Sequence, residues 1–422
     1  MGNLLFSYVM FTVNCFKNNT IRLLFVSFLF LSGFSVWSEP IVSIEVEGIK
    51  RLRKDVLLKS LPVSVGDEYS EDTKDDISIA LAKMNLFSEY RIDTEESAED
   101  GVRVSITVEE KWTLIPLPFL LYTDGSLAGG LFFLESNFLG RRQILVSGFT
   151  YIKKEAFGLL TYRNPDIGIY GMGSGFSFVY TDSASGPGSI GFTAGLSKMI
   201  LPDTEAYVRA GYSLGRESSL LDGGTALTKL SFPLRIKYDA TVPVGVLSRG
   251  PYTLAEISPG WSVSSGDPAL SSRAVVKYGW VPAEKHNIEL FGSAGIDAMD
   301  FVFQSERGGG MGERTLPRNE ILTGAIASAD VSYQYVFWSN KAVSLTATGF
   351  LEGGMYSRER FRTPDDFIRN GTDLDGYELY YGPGAGMRLY IRKVAVPAMG
   401  LDFGYNVTDG DFRFSFSVGM TM

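Results

Sequence analysis

The sequence predicts an all-β membrane barrel of about 16 antiparallel strands, preceded by one small α/β domain. Three observations support this fold class. From residue 113 to residue 422, long segments alternate apolar and polar side chains and are separated by Gly, Asp, Asn, Pro or Ser. Residues 39–112 have a different pattern, with two helical segments among three strands. The first 38 residues resemble an export signal.

The composition limits the classes of function. The 422 residues have room for two or three domains, and 47 glycines with 13% aromatic residues are typical of a large all-β protein with many turns. A net charge of −9 argues against nucleic acid as a partner. The single histidine, His286, and the single cysteine, Cys15, leave no basis for a histidine-rich metal site or a Ser-His-Asp triad. We therefore predict no enzyme activity and no cofactor.

Residues 1–38 are predicted to be a cleaved signal peptide. Lys17 and Arg22 supply positive charge before an apolar stretch, Leu23 to Phe34, and cleavage is predicted before Glu39. The alternative is a short membrane anchor, but the apolar stretch is too short for a comfortable span. No later segment has the 18 consecutive apolar residues of a membrane helix, so any further membrane crossing must be made by strands.

Residues 39–112 predict the element order β-α-α-β-β. The segment IVSIEVEG alternates and reads as a strand, and the segment from Lys54 to Leu61 as a short helix. A second helix follows Ser70, a plausible N-cap. Its apolar face contains Ile77, Leu81 and Met84. The predicted inward face of the first strand contains Val42, Ile44 and Val46. That of the last strand contains Val102, Val104, Ile106 and Val108. A three-stranded sheet covered by two helices is expected.

This order, with Gly66 before the second helix and LFSEYRI after it, resembles a POTRA domain. The resemblance implies a periplasmic module that holds client polypeptides by adding their strands to the edge of its sheet. An open sheet edge presents unpaired N–H and C=O groups and can do this. The alternative is a small α/β spacer without a client.

The polar rows of the long β region separate a membrane barrel from a large secreted sandwich or propeller. In VSLTATGFLEGG, for example, Val343, Leu345 and Leu351 share one face, and Ser344 and Glu352 lie on the other. A fully apolar face opposite a face of charged, small and hydroxyl residues is what lipid outside and a wet lumen inside require. The same alternation at the C-terminus places Phe412, Phe414 and Phe416 toward lipid and Arg413 toward the lumen.

Five short motifs, in order along the chain, resemble the BamA/TamA family of outer-membrane assembly proteins. They are ESNFLGRR (135–142), ERTLPRNEILTG (313–324), FLEGG (350–354), GAGMR (384–388) and GLDFGY (400–405). The sequence departs from the family at Thr315, where a glycine is usual, at Leu316, usually aromatic, and at Glu352, usually aspartate. Its end, Val-Gly-Met-Thr-Met, also lacks the usual final aromatic residue.

The resemblance implies a lock inside the barrel. In the family, the sixth loop folds into the lumen and its arginine is pinned to an acid of the thirteenth strand, which here pairs Arg314 with Glu352. A planar guanidinium can bind a carboxylate through two parallel hydrogen bonds. The alternative is that both are solvated charges. Asp330, Arg388, Asp402 and Arg413 are expected to form a hydrated network on the lumen wall.

The family also implies a lateral seam between the first and last barrel strands. Pro116 and Pro118 lie in the first strand and have no N–H to donate, so pairing with the last strand, which contains Phe412, Phe414 and Phe416, is predicted to be incomplete. Alternatively, the prolines only mark the entry from the preceding domain.

These patterns predict a protein of the bacterial outer membrane with its POTRA-like domain in the periplasm. The predicted function is insertion, assembly or translocation of unfolded outer-membrane polypeptides, with the lipid bilayer and accessory periplasmic or inner-membrane proteins as further partners. The alternatives are a passive pore or structural surface protein, a two-partner exporter, which usually has two POTRA domains, and a lipid-handling enzyme, for which no catalytic domain is visible.

Overall fold

The computed structural model describes residues 39–97, 101–123, 126–152, 155–183, 186–216, 226–298, 314–316, 323–392 and 398–418. The predicted signal peptide, residues 1–38, lies outside them. The described chain forms a small N-terminal domain and a closed barrel. The last strand of the domain ends at Glu110 and the first barrel strand begins at Leu114, so a three-residue linker, 111–113, joins them.

The N-terminal domain contains a four-stranded sheet of order β2-β1-β4-β3. Its elements are β1 (Glu39–Glu47), α1 (Lys54–Lys59), β2 (Glu68–Tyr69), α2 (Glu71–Met84), β3 (Phe87–Ser97) and β4 (Gly101–Glu110). β1 is parallel to β4, and β3 is antiparallel to it. The two-residue strand β2 was not predicted. It forms because the chain turns back after α1 and pairs Tyr69 with Glu39 and Glu68 with Pro40.

The core of this domain lies between the two helices and the sheet. The Ser70 side chain accepts from the Thr73 backbone N–H and so caps α2, as predicted. The predicted faces of α2 and β4 are buried in one apolar cluster. In β1 the predicted face is partly wrong: a bulge between Ile41 and Ser43 shifts the register, and Ile41 rather than Val42 enters the core.

The second domain is a closed antiparallel barrel. Its strands are β5 (Leu114–Thr123), β6 (Ser126–Phe138), β7 (Gln143–Ile152), β8 (Glu155–Asn164), β9 (Met172–Ser183), β10 (Gly186–Leu201), β11 (Thr204–Arg216), β12 (Ala226–Ser231), β13 (Leu234–Asp239), β14 (Val242–Val244), β15 (Leu247–Ser262), β16 (Pro268–Ala283), β17 (His286–Ala298), β18 (Ala325–Ser339), β19 (Val343–Ser357), β20 (Tyr377–Ile391), β21 (Ala398–Asn406) and β22 (Asp411–Val418). The loop between β19 and β20 carries a short helix, α3 (Pro364–Asn370).

β12, β13 and β14 occupy one position in the barrel, so the 18 segments make 16 strand positions, as predicted. β12 and β13 both lie between β11 and β15. The interruption between them contains Pro233, which has no N–H for the ladder. Its carbonyl still accepts from the Arg209 N–H at 2.9 Å, which keeps the wall continuous.

Burial in the barrel is the reverse of that in a water-soluble protein. On β19 the inward side chains are polar and buried, with Ser344 and Thr346 fully covered and Glu352 3% exposed, whereas the outward Leu351 is 60% exposed. On β18, Asp330 and Ser332 are buried and Val331 and Tyr333 are exposed. An apolar outer surface and a polar interior require lipid outside, which decides against the secreted sandwich or propeller. No helix in the described ranges is long and apolar enough to cross a membrane.

Candidate functional site

The tip of the loop between β17 and β18, residues 314–316, lies inside the lumen. We call these residues the loop-six tip. The Arg314 guanidinium donates to the Asp330 carboxylate and, at 2.9 Å, to the Ser332 hydroxyl, both on β18. Its Cζ lies 3.5 Å from the centroid of the Phe350 ring on β19. The arginine is thus held by an ion pair and by the face of an aromatic ring.

Glu352 hydrogen-bonds to the backbone of the loop-six tip and forms only a long ion pair with the Arg314 guanidinium. Its carboxylate accepts from the N–H groups of Arg314 at 2.8 Å and Thr315 at 3.0 Å, and from the Thr315 hydroxyl at 2.5 Å. The Arg314 Nε is 3.9 Å from Glu352, too far for the expected bidentate hydrogen bonds. The bidentate geometry was therefore a wrong expectation. Thr315 explains the difference, because its hydroxyl occupies one carboxylate oxygen.

Two further contacts hold the loop-six tip against the wall. Leu316 is 3% exposed and packs with Ile326 and Tyr380. Gly404 of β21 lies directly beneath the loop, where an added Cβ would be 2.6 Å from the Arg314 carbonyl oxygen. A larger residue at 404 would push the loop away. The tip therefore contacts four consecutive strands, β18 to β21, next to the last strand.

The expected lumen network is divided into separate pairs. Arg388 of β20 binds Asp402 of β21 through two hydrogen bonds of 2.9 and 2.7 Å, and both side chains are buried. Asp330 belongs to the loop-six contact instead. Arg413 approaches Asp411 at 3.3 Å at the beginning of β22. No direct hydrogen bond among the described residues joins these pairs, so a network that links them through water stays a prediction.

The last strand, β22, lies beside the first, β5, and closes the barrel. We call this strand pair the seam. β5 pairs with β6 over ten consecutive positions without a register shift, including Pro116 with Phe133 and Pro118 with Leu131. Phe412 and Phe414 are 82% and 49% exposed on the outer surface, and Pro116 is also exposed. Phe416 pairs with Leu401 of β21.

The contact between the two domains was not predicted. The Arg51 guanidinium donates to the Thr113 hydroxyl at 3.1 Å and to Glu135 at 2.9 Å, and the Arg53 N–H donates to the Gly140 carbonyl at 3.0 Å. At Gly140, φ is +68° and a Cβ would lie 2.3 Å from the Arg51 carbonyl oxygen. We call these residues the junction. Glu135 and Gly140 belong to the motif ESNFLGRR, which was identified from the sequence. Their partners in the small domain, Arg51 and Arg53, could not be identified from that motif.

The linker approaches the barrel near the seam. Burial, with repulsion from Arg392 in the turn after β20, lowers the pKa of Lys111 to about 8. The Lys111 ammonium also donates to the Asn85 side-chain oxygen at 2.6 Å. On the opposite side, Lys83 of α2 forms an ion pair of 2.6 Å with Asp203 in the turn between β10 and β11. The small domain is therefore held at several turns of one end of the barrel.

Arg51→Ala is expected to loosen this contact. Glu135 is 5% exposed and would lose its cationic partner, but Arg51 is half exposed, so we expect a cost of about 1 kcal/mol, or roughly a fivefold larger undocked population. Cleavage by trypsin after Lys111, followed by mass spectrometry, measures that population. Arg53→Ala is the matched control, since the Arg53 side chain binds only the neighbouring Asp55 among the described residues, and equal cleavage of the two variants would contradict the role of Arg51.

Comparison with known proteins identifies the small domain and the type of barrel. Residues 40–111 match the family described as POTRA, "Surface antigen variable number repeat". The chain has a POTRA domain and a BamA-like barrel fold. BamA from Haemophilus ducreyi lacking POTRA domains 1–3 is 13% identical, with a TM-score of 0.50, over 91% of this chain and 85% of that one.

Two CdiB structures are also similar to this POTRA–barrel chain. CdiB from Acinetobacter baumannii is 13% identical, with a TM-score of 0.58, over 91% of this chain and 74% of that one. CdiB from Escherichia coli is 12% identical, with a TM-score of 0.59, over 90% and 75%. No curated protein sequence matches the chain. At these identities the structures establish the shared fold.

Proposed function

We propose that the protein inserts or translocates unfolded polypeptides at the bacterial outer membrane, with its POTRA domain in the periplasm and without enzymatic chemistry. The observation that carries this proposal is the combination of a client-sized open sheet edge with a barrel whose interior is polar. A passive pore needs only the barrel. The BamA/TamA resemblance of the five motifs and the similarity of the fold to BamA support the same conclusion.

The edge that would receive a client is β3. It is the outermost strand of the POTRA sheet, it is 11 residues long, and among the described residues its outer side has no paired strand. A client strand added there would gain backbone hydrogen bonds without a required sequence, which suits a protein with several clients. Because Glu89, Tyr90 and Arg91 are exposed, side chains of the edge are free to contact the added strand.

The seam would pass the client strand into the lipid. Alternate residues of a strand direct their N–H groups to the same neighbour, so the missing donors of Pro116 and Pro118 fall on one edge of β5. Since β5 is fully paired with β6, we infer that this edge faces β22. A seam with two fewer hydrogen bonds opens at a lower free-energy cost. Because an open strand edge is unfavourable in lipid, a client strand would then replace β22 as the partner of β5.

The loop-six tip would hold the wall beside the seam while the seam opens. It connects β18, β19, β20 and β21 from the inside through Asp330, Glu352, Tyr380 and Gly404. In this role Arg314 and Glu352 hold β18 to β21 in place while the neighbouring strand, β22, moves. Arg388 and Asp402 tie β20 to β21 and have the same effect.

The test is reconstitution of the purified full-length protein into liposomes with an unfolded outer-membrane polypeptide. Folded barrels resist dissociation by detergent without heating, so gel mobility measures the client's insertion over time. We expect the client to insert faster than into empty liposomes. Equal rates, together with steady ion conductance through the purified protein, would show that the barrel is a passive pore and the POTRA domain a spacer.

A further inference from the structure

A second group of charged residues lies on the lumen wall, away from the loop-six tip and the seam. The guanidinium carbons of Arg163, Arg209 and Arg235 lie 5.5, 5.4 and 5.7 Å from the ring centroid of Tyr207. The four residues come from β8, β11 and β13. Three cations around one aromatic ring are electrostatically unfavourable, because each guanidinium repels the others.

Two carboxylates fix part of this group. Glu205 accepts two hydrogen bonds of 2.7 Å from Arg163 and another from the Tyr207 hydroxyl. Glu256 of β15 accepts from the Arg235 Nε at 2.6 Å. Tyr207 is 8% exposed, so its ring is a buried and fixed platform. The group is therefore preorganised by contacts within the wall.

The group retains unused positive charge and an unused donor. Arg209 contacts the Tyr207 ring but forms no ion pair with a carboxylate in the part of the chain that the structure describes. Three guanidinium groups therefore face two carboxylates. The Arg163 Nε is buried and has no hydrogen-bond partner among the described residues. A buried charge or donor without a partner is unfavourable, and an anion would satisfy both.

The space for an anion is already present. A cavity of about 280 Å³ is lined by these three arginines and Tyr207 and by the hydroxyl side chains of Thr161, Ser177, Thr193 and Ser197. Gly175 and Gly195 leave the wall without side chains at this point. We call this cavity the arginine pocket. Its volume suits one side chain of a polypeptide rather than a whole organic ligand of drug size.

The arginine pocket lies near the end of the barrel that carries the POTRA domain. Arg163 is the residue before the last of β8, and Tyr207 is the fourth residue of β11, so both are near the end of the barrel that carries the POTRA domain. Asp203, which forms the ion pair with Lys83 of α2, is only two residues before Glu205. A polypeptide leaving the POTRA domain on this side would meet the arginine pocket first.

We propose that the arginine pocket binds the carboxylate of an aspartate or glutamate side chain in an extended polypeptide that enters the lumen. This inference rests on the proposed function and names the chemistry by which a client is held inside the barrel. A planar carboxylate matches the one free guanidinium and the nearby hydroxyls. A doubly charged phosphate fits less well, since Glu205 and Glu256 stand beside the site and would repel the second charge.

The experiment measures binding of fluorescent peptides to the full-length protein in nanodiscs. Two extended peptides are compared, identical except for glutamate or glutamine at the central position. We expect the glutamate peptide to bind about tenfold more tightly, and Arg209→Gln to remove this preference. Arg209→Lys should keep part of it, because it retains the charge. Arg358→Gln, at the far end of the barrel, is the matched control and should change nothing.

A second measurement leaves every charge in place. The only cysteine, Cys15, is in the predicted signal peptide, so Thr193→Cys would give the processed chain a single thiol that lines the pocket. The glutamate peptide should slow labelling of this thiol by a maleimide, and the glutamine peptide should not. This result is independent of whether Arg209→Gln folds.

Three outcomes would overturn the inference. Equal binding of the two peptides, or an unchanged preference in Arg209→Gln with equal labelling of the thiol, would exclude a carboxylate site. Loss of binding in Arg91→Gln alone would place the peptide on the edge of β3. Displacement of the peptide by glycerol phosphate at far lower concentration than by acetate would assign the pocket to lipid headgroups.

The same proteins separate this inference from the proposed function. If the liposomes show client insertion but the peptides bind equally, the arginine pocket has no such role and the proposed function stands. If the peptides bind as expected but no client inserts, the pocket binds carboxylates and the proposed function fails.

Discussion

Glu352→Ala is expected to lower the free energy of unfolding of the barrel by about 3 kcal/mol and to release the loop-six tip. Glu352 is 3% exposed and accepts from two backbone N–H groups and one hydroxyl. Truncation would leave these buried donors without a partner and the Arg314 charge with Asp330 alone. Client insertion should fall with it, because the wall beside the seam loses its brace.

The measurement is the temperature at which the folded form disappears on a gel run without prior boiling. Arg358→Ala is the matched control: its guanidinium donates to Glu378 at 3.0 Å at the exposed far end, where an ion pair contributes little. Glu352→Gln keeps an acceptor and should lie between wild type and Glu352→Ala. Equal temperatures for Glu352→Ala and wild type would mean that these charges are merely solvated.

A disulfide across the seam is expected to stop client insertion completely. The only cysteine, Cys15, lies in the predicted signal peptide, so in a chain that starts at Glu39 a cysteine at Leu120 can be combined with one at Phe412, Phe414 or Phe416 in turn. Pro116, Phe412 and Phe414 are exposed on the outer surface, and the period of two in a strand predicts that positions 120 and 416 share this face. With β5 joined to β22, a client strand cannot enter between them, and insertion should fall to the rate of empty liposomes.

Reduction should restore the rate in the same liposomes. The control is a disulfide between positions 331 and 351, which are direct partners on β18 and β19 and both face outward. This bond joins two strands that are not proposed to separate, so it should leave insertion unchanged. Full insertion by the seam-linked protein would show that clients take another route.

Much of the barrel could be predicted because the alternation of apolar and polar residues along a membrane strand shows which side faces lipid and which faces the lumen. The period of two, with Leu351 outside and Glu352 inside, determines which face meets lipid, and it recurs on β18, β20 and β21. The helix α2 could also be predicted, from its N-cap Ser70 and from the apolar face of the helix. These features depend on residues close together in the chain.

The features that were missed depend on residues far apart. The bulge after Ile41 lies in the pairing of β1 with β4, where Ile41 is opposite Val102, about 60 positions away. The binding of Glu352 to backbone N–H groups depends on where residues 314–316 enter the lumen, and no local pattern records that. The junction is the same kind of case, since Glu135 was noticed in its motif while Arg51, its partner, lies in the other domain.

The central claim is that client polypeptides contact the POTRA edge and then the seam. Photoreactive residues at positions 90 to 96 on β3, and at 118 and 416 on the seam strands, test it directly in the native outer membrane. The account predicts that newly made outer-membrane proteins are captured at both places, which would also identify them. Capture of only lipid and neighbouring strands, with ion conductance by the purified protein, would contradict the account.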